Sequence, residues 1–164
     1  MNKTRLLITM AVFVAIGVVG AQFLWFPAGI AKAYPVQHAV NVVSAVTLGP
    51  GPAIIIAFMI GLVRNLLGLG TLLAFPGGIF GAMIAGVFYQ KFKSRRLAAI
   101  GEILGTGIIA SLFCVPFANW VMGSAHGIFF FLPSFLVSSI SGALIGVLVL
   151  RRMEVRKFIQ YRSY

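Results

Sequence analysis

Four polar side chains, Gln37, His38, Asn41 and Ser44, interrupt an apolar stretch that reads PVQHAVNVVSAVTL. At about 100° per residue they fall within roughly 120° of one helix face. Amides, an imidazole and a hydroxyl on one face suit hydrogen bonding to a small polar ligand. Polar groups inside apolar sequence are costly to bury, so by default they indicate function. The alternative is that His38 and Asn41 only satisfy backbone groups freed by neighbouring broken helices.

Further candidates follow later apolar runs. Arg64 and Asn65 end the next run, before a glycine-rich loop that contains Thr71. Arg64 either snorkels to the membrane interface, caps the loop over 65–76 or faces a cavity. Thr71 is either a turn residue or a hydroxyl offered to a ligand. Trp120, beside Asn119, is either an aromatic-belt residue or a stacking surface. The predicted substrate-binding set is therefore Gln37, His38, Asn41, Arg64, Asn65, Thr71, Asn119 and Trp120, with His126 left undecided.

The acids and the cysteine exclude most catalytic chemistry. The chain has two acids, Glu102 and Glu154, no Asp, and one cysteine, Cys114. Glu102 is expected to pair with Arg95 or Arg96, or to act as a helix N-terminal charge, near the opposite membrane face from His38. No acid pair, metal-ligand spacing, catalytic triad or nucleotide-binding loop is visible. We therefore predict no enzyme activity, no cofactor and no metal, and interpret Cys114 as a packing residue.

Composition predicts an all-α integral membrane protein. Of the 164 residues, 60% are hydrophobic and 9% charged, whereas soluble domains carry about 25% charged residues. The formal charge of +11 does not indicate nucleic acid, because the basic residues cluster at the ends of apolar runs, as membrane topology signals do.

Charge distribution decides the number of spans. Apolar runs cover 6–26, 36–48, 52–63, 75–88, 97–121 and 129–150. Basic clusters lie before the first run, after Phe88 and after Leu150, and cytoplasmic loops carry the Lys/Arg excess. All three clusters lie inside only if the second and third runs cross separately, turning at Gly49-Pro50-Gly51-Pro52. The prediction is one domain over 1–164, with six transmembrane helices, cytoplasmic termini and a basic tail over 151–164.

This topology brings the candidate residues to one side. The loops at 26–35, 65–76 and 119–131 then lie outside, where irregular backbone is tolerated only if it is buried or lines a cavity. Helix one has two small-residue faces, one with Ala11 and Ala15 and one with Gly17 and Gly20. Two such faces allow one to pack on the bundle and the other on a partner.

These residues also carry a family resemblance. Ala11 and Ala15 form an A-x-x-x-A in the first span, and the chain resembles the substrate-binding S components of energy-coupling factor (ECF) transporters. The blocks PVQHAVNVVSAVTLGPGPA and RNLLGLGTLLAFPGGIFGA are similar to the ThiW family. The resemblance implies binding of hydroxyethylthiazole, a thiamine precursor, in a bacterial cell membrane. It also implies a transmembrane coupling protein, faced by Ala11 and Ala15, and two ATPase subunits.

The residues favour a neutral ligand within that class. Thiamine carries a permanent cation, which on burial needs a carboxylate or an aromatic cage. No acid is expected on the outer half, so a thiazole alcohol bound by His38, Asn41 or Asn65 fits better. The alternatives are an S component for thiamine or another small vitamin, an ion-coupled carrier that uses His38, and a purely structural subunit.

Overall fold

The computed structural model describes residues 2–29, 31–123, 125 and 127–153. These residues form six helices and a short antiparallel β-hairpin. The elements are α1 Lys3–Phe23, β1 Phe26–Ala28, β2 Ala31–Ala33, α2 Pro35–Leu48, α3 Pro50–Leu66, α4 Ala74–Phe92, α5 Arg95–Val121 and α6 Leu132–Arg152. The all-α prediction is confirmed. Arg151 and Arg152, the first residues of the predicted basic tail over 151–164, belong to α6. The tail from residue 154 onward, which includes Glu154, and His126 lie outside the described residues.

A tight turn separates α2 from α3, as the distribution of the basic clusters predicted. Gly49 has a φ of 89°, a left-handed conformation that glycine adopts at little cost. Pro50 opens α3, because the first helical turn needs no N–H donor from proline. The helix therefore begins at Pro50, two residues before the predicted start of the run. Gly86 of α4 packs on this turn, since a Cβ there would lie 2.6 Å from the Cα of Pro50.

α2 is the central helix of the bundle. It contacts each of the other five helices, and 12 of its 14 residues are buried. A helix of this length spans about 21 Å, less than the roughly 30 Å of a bilayer core. It can be short because protein, rather than lipid, surrounds it. The polar stripe of α2 is therefore enclosed by other helices.

Glycines allow the helices around α2 to approach closely. A Cβ at Gly105 of α5 would lie 2.5 Å from the carbonyl oxygen of Phe80 in α4, and one at Gly142 of α6 would lie 2.4 Å from that of Pro35. Small residues at helix–helix contacts permit such backbone approach. Gly101 lies four residues before Gly105, and Gly146 lies four residues after Gly142, and both of these further glycines also pack closely on neighbouring helices.

Among the described residues, three helices are long and apolar enough to cross a membrane. They are α1, α5 and α6, with mean hydropathies of 2.3, 1.9 and 2.0. Helix α5 contains a π-helical segment, Ile103–Ala110, between α-helical Arg95–Glu102 and Ser111–Val121. Neither this segment nor the β-hairpin between α1 and α2 was predicted from the sequence.

Candidate functional site

A cavity of about 780 Å³ opens at one end of the bundle. It lies among the β-hairpin, the α3–α4 loop and the segment between α5 and α6, which are the three connections expected to enclose a ligand. Its polar and charged lining residues are Gln22, Lys32, Tyr34, Gln37, His38, Arg64, Thr71, Thr106, Ser134 and Ser138. Apolar walls with a few convergent polar groups are typical of a small-molecule site.

A buried hydrogen-bond network centred on Glu102 lies beneath His38. Glu102 is 0% exposed, and its Oε1 lies 2.8 Å from Nδ1 of His38 and 3.1 Å from Nδ2 of Asn41. Thr106 Oγ1 lies 3.0 Å from the same oxygen and 2.8 Å from the carbonyl oxygen of Gly77. These contacts join α2, α4 and α5 at the base of the cavity.

The predicted role of Glu102 is therefore wrong. The sequence interpretation paired this carboxylate with Arg95 or Arg96 and placed it far from His38. Arg95 instead donates to the carbonyl oxygen of Leu150, 2.5 Å away. Glu102 lies two turns into α5 from Arg95, beyond the first helical turn, and contacts His38 and Asn41 of α2.

Arg64 forms a second cluster at the cavity wall. Its guanidinium donates to Oε1 of Gln37 and to the carbonyl oxygen of Leu69, the latter over 3.2 Å. The guanidinium carbon lies 3.8 Å from the ring centroid of Tyr34, a cation–π distance. Tyr34 also donates from its hydroxyl to Leu69, over 3.3 Å. Arg64 therefore holds the α3–α4 loop against α2. This position excludes the alternative that the Arg64 side chain snorkels to the membrane interface.

The predicted binding residues divide into three groups. Gln37, His38, Arg64 and Thr71 line the cavity. Asn41 lies beneath it, where Nδ2 donates to Glu102 and to the carbonyl oxygen of Gly78.

The remaining three do not line the cavity. Asn65 donates to the carbonyl oxygens of Gly61 and Thr71 and so closes the α3–α4 loop. Asn119 is exposed, and Trp120 is 89% exposed. The geometry gives no support to direct ligand binding by these three residues.

Several cavity residues were not predicted. Tyr34, Thr106 and Ser138 line it, and Ser138 accepts from the backbone N–H of Tyr34 over 2.8 Å. Lys32 lies over the ring of Trp25, 3.9 Å from its centroid, at the β-hairpin. For Glu102 a signal existed, since a lone acid within apolar helical sequence is costly unless it is paired or functional. For Thr106 and Ser138, hydroxyls are too common in such helices to single out.

Helix α1 keeps one small-residue face outside the bundle. Gly17 and Gly20 are buried, and Phe13 packs on the core of the bundle. Ala11 and Ala15 are exposed. This division follows the two predicted faces of the helix.

The fold defines the class of protein first. A solved structure described as "Structure and mechanism of the S component of a bacterial ECF transporter" matches with a TM-score of 0.77 and 20% identity, over 96% of this chain and 99% of that chain. The chain thus has the fold of an S component, a membrane protein fold. No curated protein matches the sequence.

The family follows from the sequence match. The model of ThiW, described as thiamine-precursor transporter protein, matches residues 7–156. The chain belongs to the ThiW family, and it is a transporter protein rather than an enzyme.

Proposed function

We propose that this protein is the substrate-binding component of an ECF-type transporter and binds hydroxyethylthiazole. The observation that carries the proposal is the cavity at one end of the bundle, with Gln37, His38 and Arg64 at its wall. The family description supports a thiamine precursor as the substrate, and the fold supports an S component.

The charges at the cavity favour a neutral ligand over thiamine. The charged side chains among the described lining residues are Lys32 and Arg64, both cationic. Glu102, which the sequence interpretation did not place here, lies beneath the lining, with Oε1 in contact with His38, Asn41 and Thr106. A thiazolium cation would meet the two positive charges of the lining, whereas a neutral thiazole alcohol avoids this cost.

The membrane arrangement is part of the proposal. All six helices cross a bacterial cell membrane, with both termini cytoplasmic and the cavity open to the outside. The positions of Lys91, Lys93, Arg95 and Arg96 support it, because they lie at the end of α4, in the link after it and at the start of α5, at the opposite end of these helices from the cavity. A cysteine at Lys32 should then react with an impermeant maleimide in intact cells. A cysteine at Ser94 should react only after lysis, and the reverse pattern would overturn this orientation.

Identification of the co-purifying small molecule tests the substrate. Mass spectrometry of extracts from purified protein should show hydroxyethylthiazole, and titration with it should saturate at one molecule per chain. An excess of thiamine should compete weakly. Tight thiamine binding that free thiazole does not displace would contradict the proposal.

The contact between His38 and Glu102 also favours a second candidate, a proton-coupled carrier. Intramembrane acids and histidines form proton relays, and these two side chains lie 2.8 Å apart. Uptake that persists without ATPase subunits and stops when the proton gradient is collapsed would support the carrier. Uptake that requires the coupling protein and ATPases would support the S component.

A further inference from the structure

We propose that Glu102 is a positioning residue that sets His38 to accept a hydrogen bond from the ligand. The contact between Glu102 Oε1 and His38 Nδ1 is 2.8 Å. An ionised carboxylate only accepts hydrogen bonds, so Nδ1 must carry the proton. His38 itself lines the cavity. In the neutral ring, Nε2 then presents a lone pair to the ligand.

The other contacts of Glu102 place donors at the same oxygen. Asn41 Nδ2 donates to Oε1 over 3.1 Å, and the single hydroxyl proton of Thr106 can go either to Oε1 or to the carbonyl oxygen of Gly77, at 3.0 and 2.8 Å. The other carboxylate oxygen, Oε2, is buried and has no hydrogen-bond partner in the described part of the chain. Asn41 Nδ2 also contacts the carbonyl oxygen of Gly78, which fixes the amide with its N–H groups toward Glu102. The network therefore holds the carboxylate in place under the imidazole.

The charged groups around His38 come from three other elements. Glu102 contributes one negative charge from α5, and Arg64 contributes one positive charge from α3. Lys32 of β2 adds a further positive charge at the cavity, while the neighbouring residues Gly78 of α4, Gly142 and Ser138 of α6 are uncharged. A protonated His38 would add a third cation to this region, whereas a neutral one leaves the two fully buried charges balanced.

This tautomer defines the ligand class more closely, and in that respect the inference rests on the proposed function. Nε2 of a neutral His38 requires a donor, and a hydroxyl group is the donor that a thiazole alcohol offers. Oε1 of Gln37 is taken by Arg64, so the amide N–H groups of Gln37 remain as the complementary donor for a ring nitrogen. The site would thus select a neutral ligand that has one hydroxyl donor and one acceptor.

The protonation of His38 can be measured directly without a ligand. The chain contains two histidines, so in protein labelled with ¹⁵N-histidine the signals lost in His38→Ala belong to His38. We expect the spectrum of a ring protonated at Nδ1 alone. In Glu102→Gln this preference should weaken, because an amide can donate as well as accept. An imidazolium spectrum, or protonation at Nε2 alone, would overturn the proposal.

A matched pair of ligands tests the hydrogen bond itself. Hydroxyethylthiazole should bind the wild-type protein at least about tenfold more tightly than its O-methyl ether, which has no hydroxyl donor. In His38→Ala the two affinities should become equal. Thr47→Val is the matched control, because Thr47 is buried on the same helix and its hydroxyl donates to the carbonyl oxygen of Val43. It should keep the preference for the alcohol.

The two arms separate failure of the inference from failure of the proposed substrate. Equal binding of alcohol and ether to the wild type would overturn the proposed hydrogen bond while leaving thiazole as the substrate. If neither the alcohol nor the ether binds but His38 gives the expected spectrum, hydroxyethylthiazole is not the substrate, and the role of Glu102 still holds. If His38→Ala does not fold, Glu102→Gln tests the proposed hydrogen bond instead. In this variant the ratio of the affinity for the alcohol to that for the ether should fall about tenfold.

Discussion

The buried polar side chains around α2 depend on one another for their hydrogen bonds. Glu102 and Asn41 are fully buried, and Arg64 is 2% exposed. An isolated buried charge is strongly destabilising, whereas a paired and hydrogen-bonded one is tolerated. Asn41 lies in α2, Arg64 in α3 and Glu102 in α5. Hydrogen bonds join Asn41 to Glu102 and Arg64 to Gln37 of α2, so these polar groups fix how the three helices lie against each other. The same groups form the wall and base of the cavity.

Gln37→Ala should weaken ligand binding and destabilise the protein. Gln37 accepts from Arg64, so its loss leaves a buried guanidinium short of one acceptor, at a cost of about 1–3 kcal/mol. Ligand affinity should fall roughly tenfold as one polar contact is lost. Titration calorimetry and thermal unfolding in detergent measure both effects.

The matched control for this substitution is Gln90→Ala. Gln90 is exposed near the end of α4, away from the cavity, so both quantities should stay at the wild-type level. Wild-type affinity in Gln37→Ala would remove Gln37 from the binding site.

At the scale of helices, the cavity depends on how closely α6 approaches α2. A Cβ at Gly142 would lie 2.5 Å from Cβ of His38 as well as close to the carbonyl oxygen of Pro35. Ser134 of α6 donates to the carbonyl oxygen of Ala28 over 2.6 Å. Helix α6 therefore supports both His38 and the β-hairpin over the cavity.

Gly142→Ala should consequently reduce both stability and ligand binding. Alanine is the better helix former by about 1 kcal/mol, yet overpacking a close contact costs roughly 1–3 kcal/mol. Since backbone atoms of α2 stand in the way, the packing cost should dominate, and displacement of His38 should lower affinity. Gly51→Ala is the control, because in the described part of the chain a Cβ at Gly51 would meet no atom within 4 Å apart from its own stretch of helix backbone. A Gly142→Ala protein as stable as this control would show that α6 can move away freely.

The helices were more predictable from the sequence than their contacts. Apolar runs and the positive-inside rule placed the helices and separated α2 from α3 at Gly49, because both depend on local composition. The position of Glu102 was not predictable in this way, since it depends on which face of α5 packs against α2. Distance along the chain placed it near Arg95, whereas packing turned it toward His38. The π-helical segment from Ile103 to Ala110 likewise has no signature in apolar periodicity.

The candidate site was predicted only in part, because local composition marks some of its residues and not others. Gln37 and His38 stood out because polar residues on a short apolar helix are costly. Trp120 was selected as an aromatic residue at a helix end, but this type of position is equally typical of a membrane interface. Tyr34 and Lys32 come from the β-hairpin, which has no distinctive sequence pattern over three-residue strands.

At the scale of the whole molecule, the cavity and the exposed face of α1 are separate surfaces. The cavity lies at the end of α1 near Gln22 and Trp25, while Ala11 and Ala15 lie about two to three turns further toward the N-terminus. The described side chains around the cavity therefore do not include either alanine. Substrate binding and partner docking should be separable by mutation.

The double substitution Ala11→Leu and Ala15→Leu should stop uptake without loss of substrate binding. Leucine at both positions adds bulk where a partner helix would need a close approach, while the packing face with Gly17 and Gly20 is unchanged. In cells that contain the coupling protein and ATPases, uptake of labelled hydroxyethylthiazole should fall at least tenfold by a rough estimate from the loss of a packed contact. Affinity of the purified variant should equal that of the wild type.

Val137→Leu controls for a general effect of bulk on the apolar surface. Val137 is an exposed residue of α6, so its enlargement should leave both uptake and binding unchanged. If the alanine variant transports normally and still co-purifies with the coupling protein, α1 does not dock through this face. If its substrate affinity falls together with uptake, Ala11 and Ala15 support the fold of the protein itself, and another surface must receive the partner.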